Sequence, residues 1–261
     1  MTESQNRASD DVTAASAMNL AQLLEQCVGR RRGAGDVELE LRLGQRADTF
    51  HPGVSRVVFE QLERDLSEAP ELSAEVGYTE IADYFYTLSS GRQIRTRVRY
   101  DSSSMELTTE HVEKRLLQSF VASASGDPGD TCRVEVSSEV PVESPPPSTL
   151  INFVRIKQRR AFVDRRGGGA VWQYELSRTW SGSTRDAVEY RQHNSEPVYE
   201  VECELVDNDG AYLETRTDSA VAESLHLKML MLMGYDDTAT PLEISHTRCE
   251  GGGPRRRRVR A

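Results

Sequence analysis

The sequence predicts an α+β protein made mainly of antiparallel β-structure, arranged as a β-barrel or an α+β sandwich. Three observations predict it. Short segments of alternating polarity recur along most of the chain, separated by clusters of Gly, Pro, Ser and Asp. Only three stretches carry helical periodicity. Of the 261 residues 37% are apolar and 28% charged, which is little apolar mass for an all-helical bundle and enough charge to occupy an interior as well as a surface.

Taken in order, residues 1–16 are polar and rich in Ser and Asp, and read as a disordered segment. They lack the basic start and apolar stretch of a secretory signal. Residues 18–31 space Leu20, Leu23, Leu24 and Val28 as an amphipathic helix, and 37–44 alternate strictly as a strand. Residues 54–69 read as a helix with Val57, Val58, Leu62 and Leu66 on one stripe, stopped at Pro70. Strand patterns follow at 80–88, 92–100, 105–110, 112–120, 131–140, 151–160, 171–180, 187–192 and 197–206. Residues 219–235 form a helix with a broad apolar face, ended at Gly234, in which Met229, Met231 and Met233 are read as packing residues. One domain over 17–248 and a flexible basic tail over 249–261 complete the organisation. No run of 18 apolar residues occurs, so no membrane span is expected. The four cysteines form no CxxC pair, which argues against a structural zinc site and for a reducing compartment.

The net charge of −10 argues against a general nucleic-acid binder, because affinity for phosphate backbones comes from Lys and Arg. The distribution says more than the sum. Side chains of a strand alternate between two faces, and the charges here segregate by strand. Glu38, Glu40 and Arg42 share a face opposite Val37, Leu39, Leu41 and Leu43. Glu200, Glu202 and Glu204 share another. Arg95, Arg97 and Arg99 form one basic row, and Arg155, Lys157 and Arg159 a second. Arg133, Glu135 and Glu139 lie together, as do Glu175 and Ser177, and Lys114 stands in Glu-Lys-Arg.

A sheet with one solvated face would alternate in the same way, with weak surface ion pairs across strands. Rows of like charge weigh against that, because residues at i and i+2 repel and a solvated face usually mixes signs. The sharper reading turns the barrel inside out. Apolar faces point outward against the helices, and charged faces enclose a polar lumen, which in an eight-stranded barrel is wide enough for one small ligand. Grouped carboxylates suit Mg2+ or Mn2+. Grouped Arg and Lys suit a polyphosphate. Together they describe a site for a metal-bound triphosphate.

At this point the chain resembles a known family. Residues 38–44 (ELELRLG) and 199–205 (YEVECEL) look like the two glutamate-rich strands of the fungal and protozoan RNA 5′-triphosphatases, members of the triphosphate tunnel metalloenzymes. Between them, Arg155-Ile-Lys157-Gln-Arg159 resembles the family's Arg-x-Lys-x-Arg strand, Tyr174-Glu175-Leu176-Ser177 its acid-x-Thr/Ser strand, Glu139-Val140-Pro141 its Glu-x-Pro strand, and Arg97-Val98 its arginine strand. The resemblance spans about 37–206, and the small size and Arg-rich composition suggest a protozoan, kinetoplastid mRNA-capping form. Gln173 and Glu175 depart from the family's more frequent Arg and Asp.

The resemblance implies a closed eight-stranded tunnel buttressed by helices, and hydrolysis of the β–γ bond of 5′-triphosphate RNA, the first step of mRNA capping. It implies Glu38, Glu40 and Glu204 as ligands of Mg2+ or Mn2+. Arg97, Lys157 and Arg159 would hold the γ-phosphate, with Arg155 and Lys114 nearby. Glu139, and in a second version Glu202, would orient the attacking water. Glu175, Ser177 and Glu200 would support the basic residues. A capping guanylyltransferase is the expected protein partner and the nucleus the expected compartment.

Competing signals are weaker. Cys249 and Arg255 match the spacing of a cysteine-phosphatase loop, but no helix plausibly follows. No GxxxxGK[ST] motif occurs. The Arg255–Arg258 run reads equally as a nuclear localisation signal, an RNA-contacting tail or a solvated end. A tunnel hydrolase of inorganic triphosphate or free nucleotides is a second functional class. A non-catalytic module docking a partner on an open charged sheet is a third.

Overall fold

The structure is a computed structural model. It describes residues 19–33, 37–46, 49–75, 77–101, 106–124, 131–164, 171–207, 210–235 and 242–249. The expected disordered segment 1–16 and the tail beyond 249 lie outside the described residues.

In chain order the elements are α1 (Leu20–Arg32), β1 (Val37–Arg46), β2 (Phe50–Pro52), α2 (Arg56–Glu68), β3 (Leu72–Ala74), β4 (Thr79–Thr87), β5 (Gln93–Asp101), β6 (Glu106–Ala124), β7 (Thr131–Pro141), β8 (Ile151–Asp164), β9 (Trp172–Gly182), α3 (Arg185–Asn194), β10 (Val198–Leu205), α4 (Ala211–Thr215), α5 (Asp218–Leu232) and β11 (Leu242–Cys249). The strand order is β10-β9-β8-β4-β5-β6-β7-β1. β1 then pairs with β10, with Glu40 opposite Glu204 and Arg42 opposite Glu202. That last pairing closes an eight-stranded antiparallel barrel and excludes the sandwich. β2, β3 and β11 add to β1, β8 and β6.

The apolar core lies outside the barrel. Leu39 and Leu41 of β1, Val134 and Val136 of β7, Val201 and Cys203 of β10 and Trp172 and Leu176 of β9 are buried together with Leu24, Cys27 and Val28 of α1 and Val221, Leu225 and Met229 of α5. Each such large side chain contributes on the order of 1.5–3 kcal/mol by leaving water. A smaller cluster of Val154, Ile156 and Trp180 takes Val188 from α3. With their outer faces buried this way, these strands turn their charged faces inward.

Helix starts follow from local chemistry. Asn19 caps α1 in a reciprocal box with Gln22, and Ser55, Thr184 and Thr217 cap α2, α3 and α5. Gly234, at φ 74°, follows α5 in the left-handed conformation that ends helices.

Four expectations need correction. Residues 187–192 form part of α3, not a strand: Thr184 caps it, Asp186 sits in its first turn, and its single buried residue is Val188. The segments 105–110 and 112–120 are one strand, β6, because nothing between them breaks it. His111 merely faces outward, its ring 2.8 Å from the Thr96 hydroxyl. On α2 the inward stripe is Phe59, Leu62 and Leu66, whereas Val57 is 74% exposed. On α5 Met229 and Met233 are buried, but Met231 is exposed. Strand β11, within 242–249, is an addition to the expected elements.

Cys27, Cys132 and Cys203 are buried thiols without disulfides, and burial pushes the Cys132 and Cys203 thiols far up from the usual range. All three should stay unlabelled by iodoacetamide in the native protein and label on unfolding, as read by mass spectrometry. Fast labelling of Cys132 or Cys203 in the native state would contradict the outward-facing core.

Candidate active site

Alternation along each barrel strand delivers one charged row to the lumen. β1 contributes Glu38, Glu40 and Arg42, β10 Glu200, Glu202 and Glu204, and β9 Gln173, Glu175 and Ser177. The opposite wall carries Arg155, Lys157 and Arg159 from β8, Ile81, Asp83 and Phe85 from β4, and Arg95, Arg97 and Arg99 from β5. β6 and β7 join the walls through Glu110, Lys114, Glu135 and Glu139. Most of these side chains line one cavity of about 790 Å³. On β6 a register shift between Leu116 and Gln118 inserts an extra residue. Even-numbered residues such as Lys114 therefore face the lumen before it, whereas Phe120 joins the outer core after it.

All thirteen residues singled out from the sequence stand on lumen faces. Acid dominates β7, β1, β10 and β9; base dominates β8 and β5. Glu200 is only 5% exposed, which does not suit an open docking sheet.

The basic residues are held by carboxylates. Lys157 Nζ lies 2.8 Å from Glu200 and 3.3 Å from Glu202. Arg159 is 2.6 Å from Glu175, which also accepts from Gln173. Glu200 and Glu175 thus each contact a basic residue of β8. The Ser177 hydroxyl, wholly buried opposite Glu200, has no hydrogen-bond partner among the described residues. Lys114 Nζ lies among Glu38 at 2.7 Å, Glu139 at 3.3 Å and Glu40 at 3.9 Å. Glu139 also holds Arg95 at 2.7 Å. Arg42 pairs with Glu202 at 2.8 Å and Glu40 at 3.2 Å.

Asp83 did not stand out in the sequence. It is completely buried, 2.7 Å from Arg97 and 2.8 Å from Arg155. Register explains this. Asp83 is the direct cross-strand neighbour of Arg97 on β5 and of Arg155 on β8, so one carboxylate sits between two basic rows. The only signal in the chain is a lone acid among apolar residues on the Ile81–Asp83–Phe85 face. Nothing in the sequence says that β4 lies between β5 and β8. Arg95 and Arg42 lie on rows that the sequence turns inward but to which it assigns no role; Arg95 pairs with Glu139, and Arg42 with Glu202 and Glu40.

Electrostatics divides the carboxylates into two groups. Burial pushes Glu202 up, but Arg42, Lys157 and Arg155 outweigh it and hold the carboxyl below its ordinary range. Asp83 is held down in the same way, with Arg97 and Arg155 overcoming its burial. Glu38 and Glu204 go the other way. Burial, with Glu139 and Glu40 adding to it against the pull of Lys114, pushes Glu38 up to about 7. Burial, then Glu38, Glu175 and Glu40, push Glu204 well above its ordinary value. Glu204 makes no ion pair among the described residues.

Glu38, Glu40 and Glu204 stand on the adjacent strands β1 and β10; Glu38 is paired with Lys114, Glu40 with Lys114 and Arg42, and Glu204 alone of the three has no ion pair among the described residues. Glu40 and Glu204 are directly opposed across the β1–β10 pairing, a separation of about 5 Å between Cβ atoms. As the side chains stand, no three acidic, His or Cys groups among the described residues converge enough to hold an ion; the Lys114 ammonium lies among Glu38, Glu40 and Glu139. The donor set nonetheless suits a hard divalent cation, because all three groups are carboxylates and two are raised, by burial first and by neighbouring carboxylates second.

No family model matches the chain, and no curated protein does. Solved structures do. The S. pombe Pct1 RNA triphosphatase superposes with a TM-score of 0.59 at 16% identity, over 90% of this chain and 100% of that one. Pct1 in complex with the Spt5 CTD gives 0.58 at 15%, over 84% and 95%. The RNA triphosphatase domain of the trifunctional mimivirus mRNA capping enzyme gives 0.52 at 11%, over 82% and 95%. Closed by the β1–β10 pairing and lined with facing rows of acid and base, the barrel of this chain has the tunnel fold of these RNA triphosphatases.

Proposed function

We propose that the chain is an RNA 5′-triphosphatase that removes the γ-phosphate of triphosphate-ended RNA and leaves a 5′-diphosphate end, the first step of mRNA capping. The observation that carries this is the lumen itself. Rows of carboxylates, among them a Glu204 with no ion pair among the described residues, face two basic rows across one cavity, in a fold shared with RNA triphosphatases.

Phosphoryl transfer asks a protein mainly for positioning and charge neutralisation. Glu38, Glu40 and Glu204 would hold a Mg2+ or Mn2+ ion, which when bound neutralises charge on the phosphate oxygens. Arg97, Lys157 and Arg159 bind the γ-phosphate, and Arg155 and Lys114 flank the chain of phosphates. Glu139 orients the attacking water and draws its proton away, a role suited to a carboxylate held ionised: burial raises it, but Arg95 and Lys114 overcome that and keep it low. Glu202 serves better as an anchor than as a base, since it is tied to Lys157 and Arg42. The water oxygen bonds to the γ-phosphorus as the bond to the β–γ bridging oxygen breaks, and that oxygen leaves on the RNA. Asp83, Lys157 and Arg159 are buried in the lumen wall, so interactions at these groups are stronger than at a surface. A capping role assigns the reaction to the nucleus, with a guanylyltransferase taking the diphosphate end. The three thiols without disulfides and the Arg255–Arg258 run support that assignment.

The test is phosphate release from triphosphate-ended RNA, nucleoside triphosphates and inorganic tripolyphosphate, titrated with Mg2+ and with Mn2+. Turnover should be fastest on the RNA end and should require the metal. Glu38→Ala and Glu204→Ala should each lower it by about 10²-fold or more. Near-native turnover by a folded Glu204→Ala variant would remove the metal assignment. Preference for tripolyphosphate over RNA would move the chain to the other tunnel hydrolases.

A further inference from the structure

The charged lumen is interrupted by one aromatic pair. Phe85 of β4 and Phe153 of β8 are directly opposed across the sheet, with ring centroids 5.6 Å apart at 55°. Phe85 lines the cavity. Phe153 is 40% exposed. The Arg155 guanidinium lies over the Phe85 ring at 5.3 Å, and Arg95 is the cross-strand neighbour of Phe85 on the other side. Next to the pair a register shift between Phe85 and Tyr86 bends the strand edge, a feature frequent at barrel rims. Beyond it Leu150 and Ile151 at the start of β8 are exposed. Apolar rings left half in water at the end of a charged channel do nothing to hold a polyphosphate.

We infer that Phe85 and Phe153 form a stacking platform for the first nucleobase of the substrate RNA, at the mouth through which the triphosphate enters. This deepens the function proposed above and rests on it. Spacing along β8 supports the assignment. Arg155 is two residues inward of Phe153 and Lys157 four, or about 7 and about 14 Å deeper at the rise of an antiparallel strand. Lys157 holds the γ-phosphate and Arg155 stands at the level of the inner phosphates. The first ribose and base then fall beside the rings. Stacking is tolerant of base identity, since every base offers a π-face. That suits an enzyme acting on transcripts of any first nucleotide. It also gives the tunnel a means of preferring nucleic-acid ends over bare tripolyphosphate.

The experiment measures equilibrium binding of a fluorescent 5′-triphosphate oligoribonucleotide, and its displacement by inorganic tripolyphosphate, for the native chain and for Phe153→Ala, Phe153→Leu and Phe153→Trp. The native chain should bind the RNA more tightly than tripolyphosphate. Phe153→Ala should weaken the RNA about tenfold and leave the tripolyphosphate affinity within about twofold. Phe153→Leu keeps apolar bulk without a π-face and should behave like Ala, while Phe153→Trp should bind RNA at least as well as the native chain. Equal weakening of both ligands, or of neither, would overturn the platform and leave the triphosphate reading standing. A native chain that binds neither ligand would overturn both.

Discussion

Replacing Asp83 with Ala should slow phosphate release by at least about 10²-fold and lower stability by about 3–5 kcal/mol, the largest combined effect expected of any single lumen residue. Asp83 is fully buried between Arg97 and Arg155. Without it two guanidiniums remain in a low-dielectric wall with no carboxylate to hold them. They lose orientation toward the phosphates as well as their charge partner. Asp83→Asn keeps the shape and some of the hydrogen bonding, and should fall between the native protein and Ala in both respects. Urea denaturation and phosphate release on the same preparations separate the two effects. A folded Asp83→Ala variant of native stability would mean that the basic rows are held by something else.

Lys157→Met should be nearly as severe. The lysine is 4% exposed and is paired with Glu200 and Glu202. Its loss removes a γ-phosphate contact, for a rate loss of about 10²–10³-fold. It also leaves the buried Glu200 without its cation beside Glu202, which keeps only Arg42, for about 3–5 kcal/mol of stability at neutral pH. Burial raises Glu200 and Glu202, but Lys157 and the nearby arginines hold both below the ordinary carboxylate range. In the native protein they therefore contribute stability that is present above that range and lost as pH falls through their folded values. The variant lacks the part of this contribution that Lys157 supplies, so its stability deficit should narrow on acidification. A deficit that stays constant from neutral pH down to about pH 3 would show that packing, not charge pairing, carries the effect.

The strands were legible where both faces carried a pattern. β1 alternates without a break from Val37 to Leu43, and β10 from Glu200 to Leu205, so their inward and outward rows could be assigned residue by residue. The segregation of glutamates and arginines into separate rows was also visible, and it pointed to a lumen because no solvated surface needs it. The misreadings arose where one local pattern fits two structures. Ala187–Gln192 alternates well enough for a strand, but Thr184 and the Arg185–Glu189 pairing at i,i+4 settle it as helix α3. Val57 and Val58 look like core on a helical wheel. The inward stripe instead runs through Phe59, because a helix face is chosen by the surface it meets, here near Tyr199 of β10.

Asp83 marks the boundary between the two kinds of knowledge. Its neighbours in sequence are apolar and its partners are Arg97 and Arg155, on strands that flank β4 only because β8 returns to pair with it. Sequence alone determined which side chains share a face, since a strand's period of two is a local property of the backbone. Only the tertiary structure decided which faces meet: the crossing of β4 to β8 and the closing of β1 on β10 are made by outer apolar burial over long chain separations, and no local pattern encodes them.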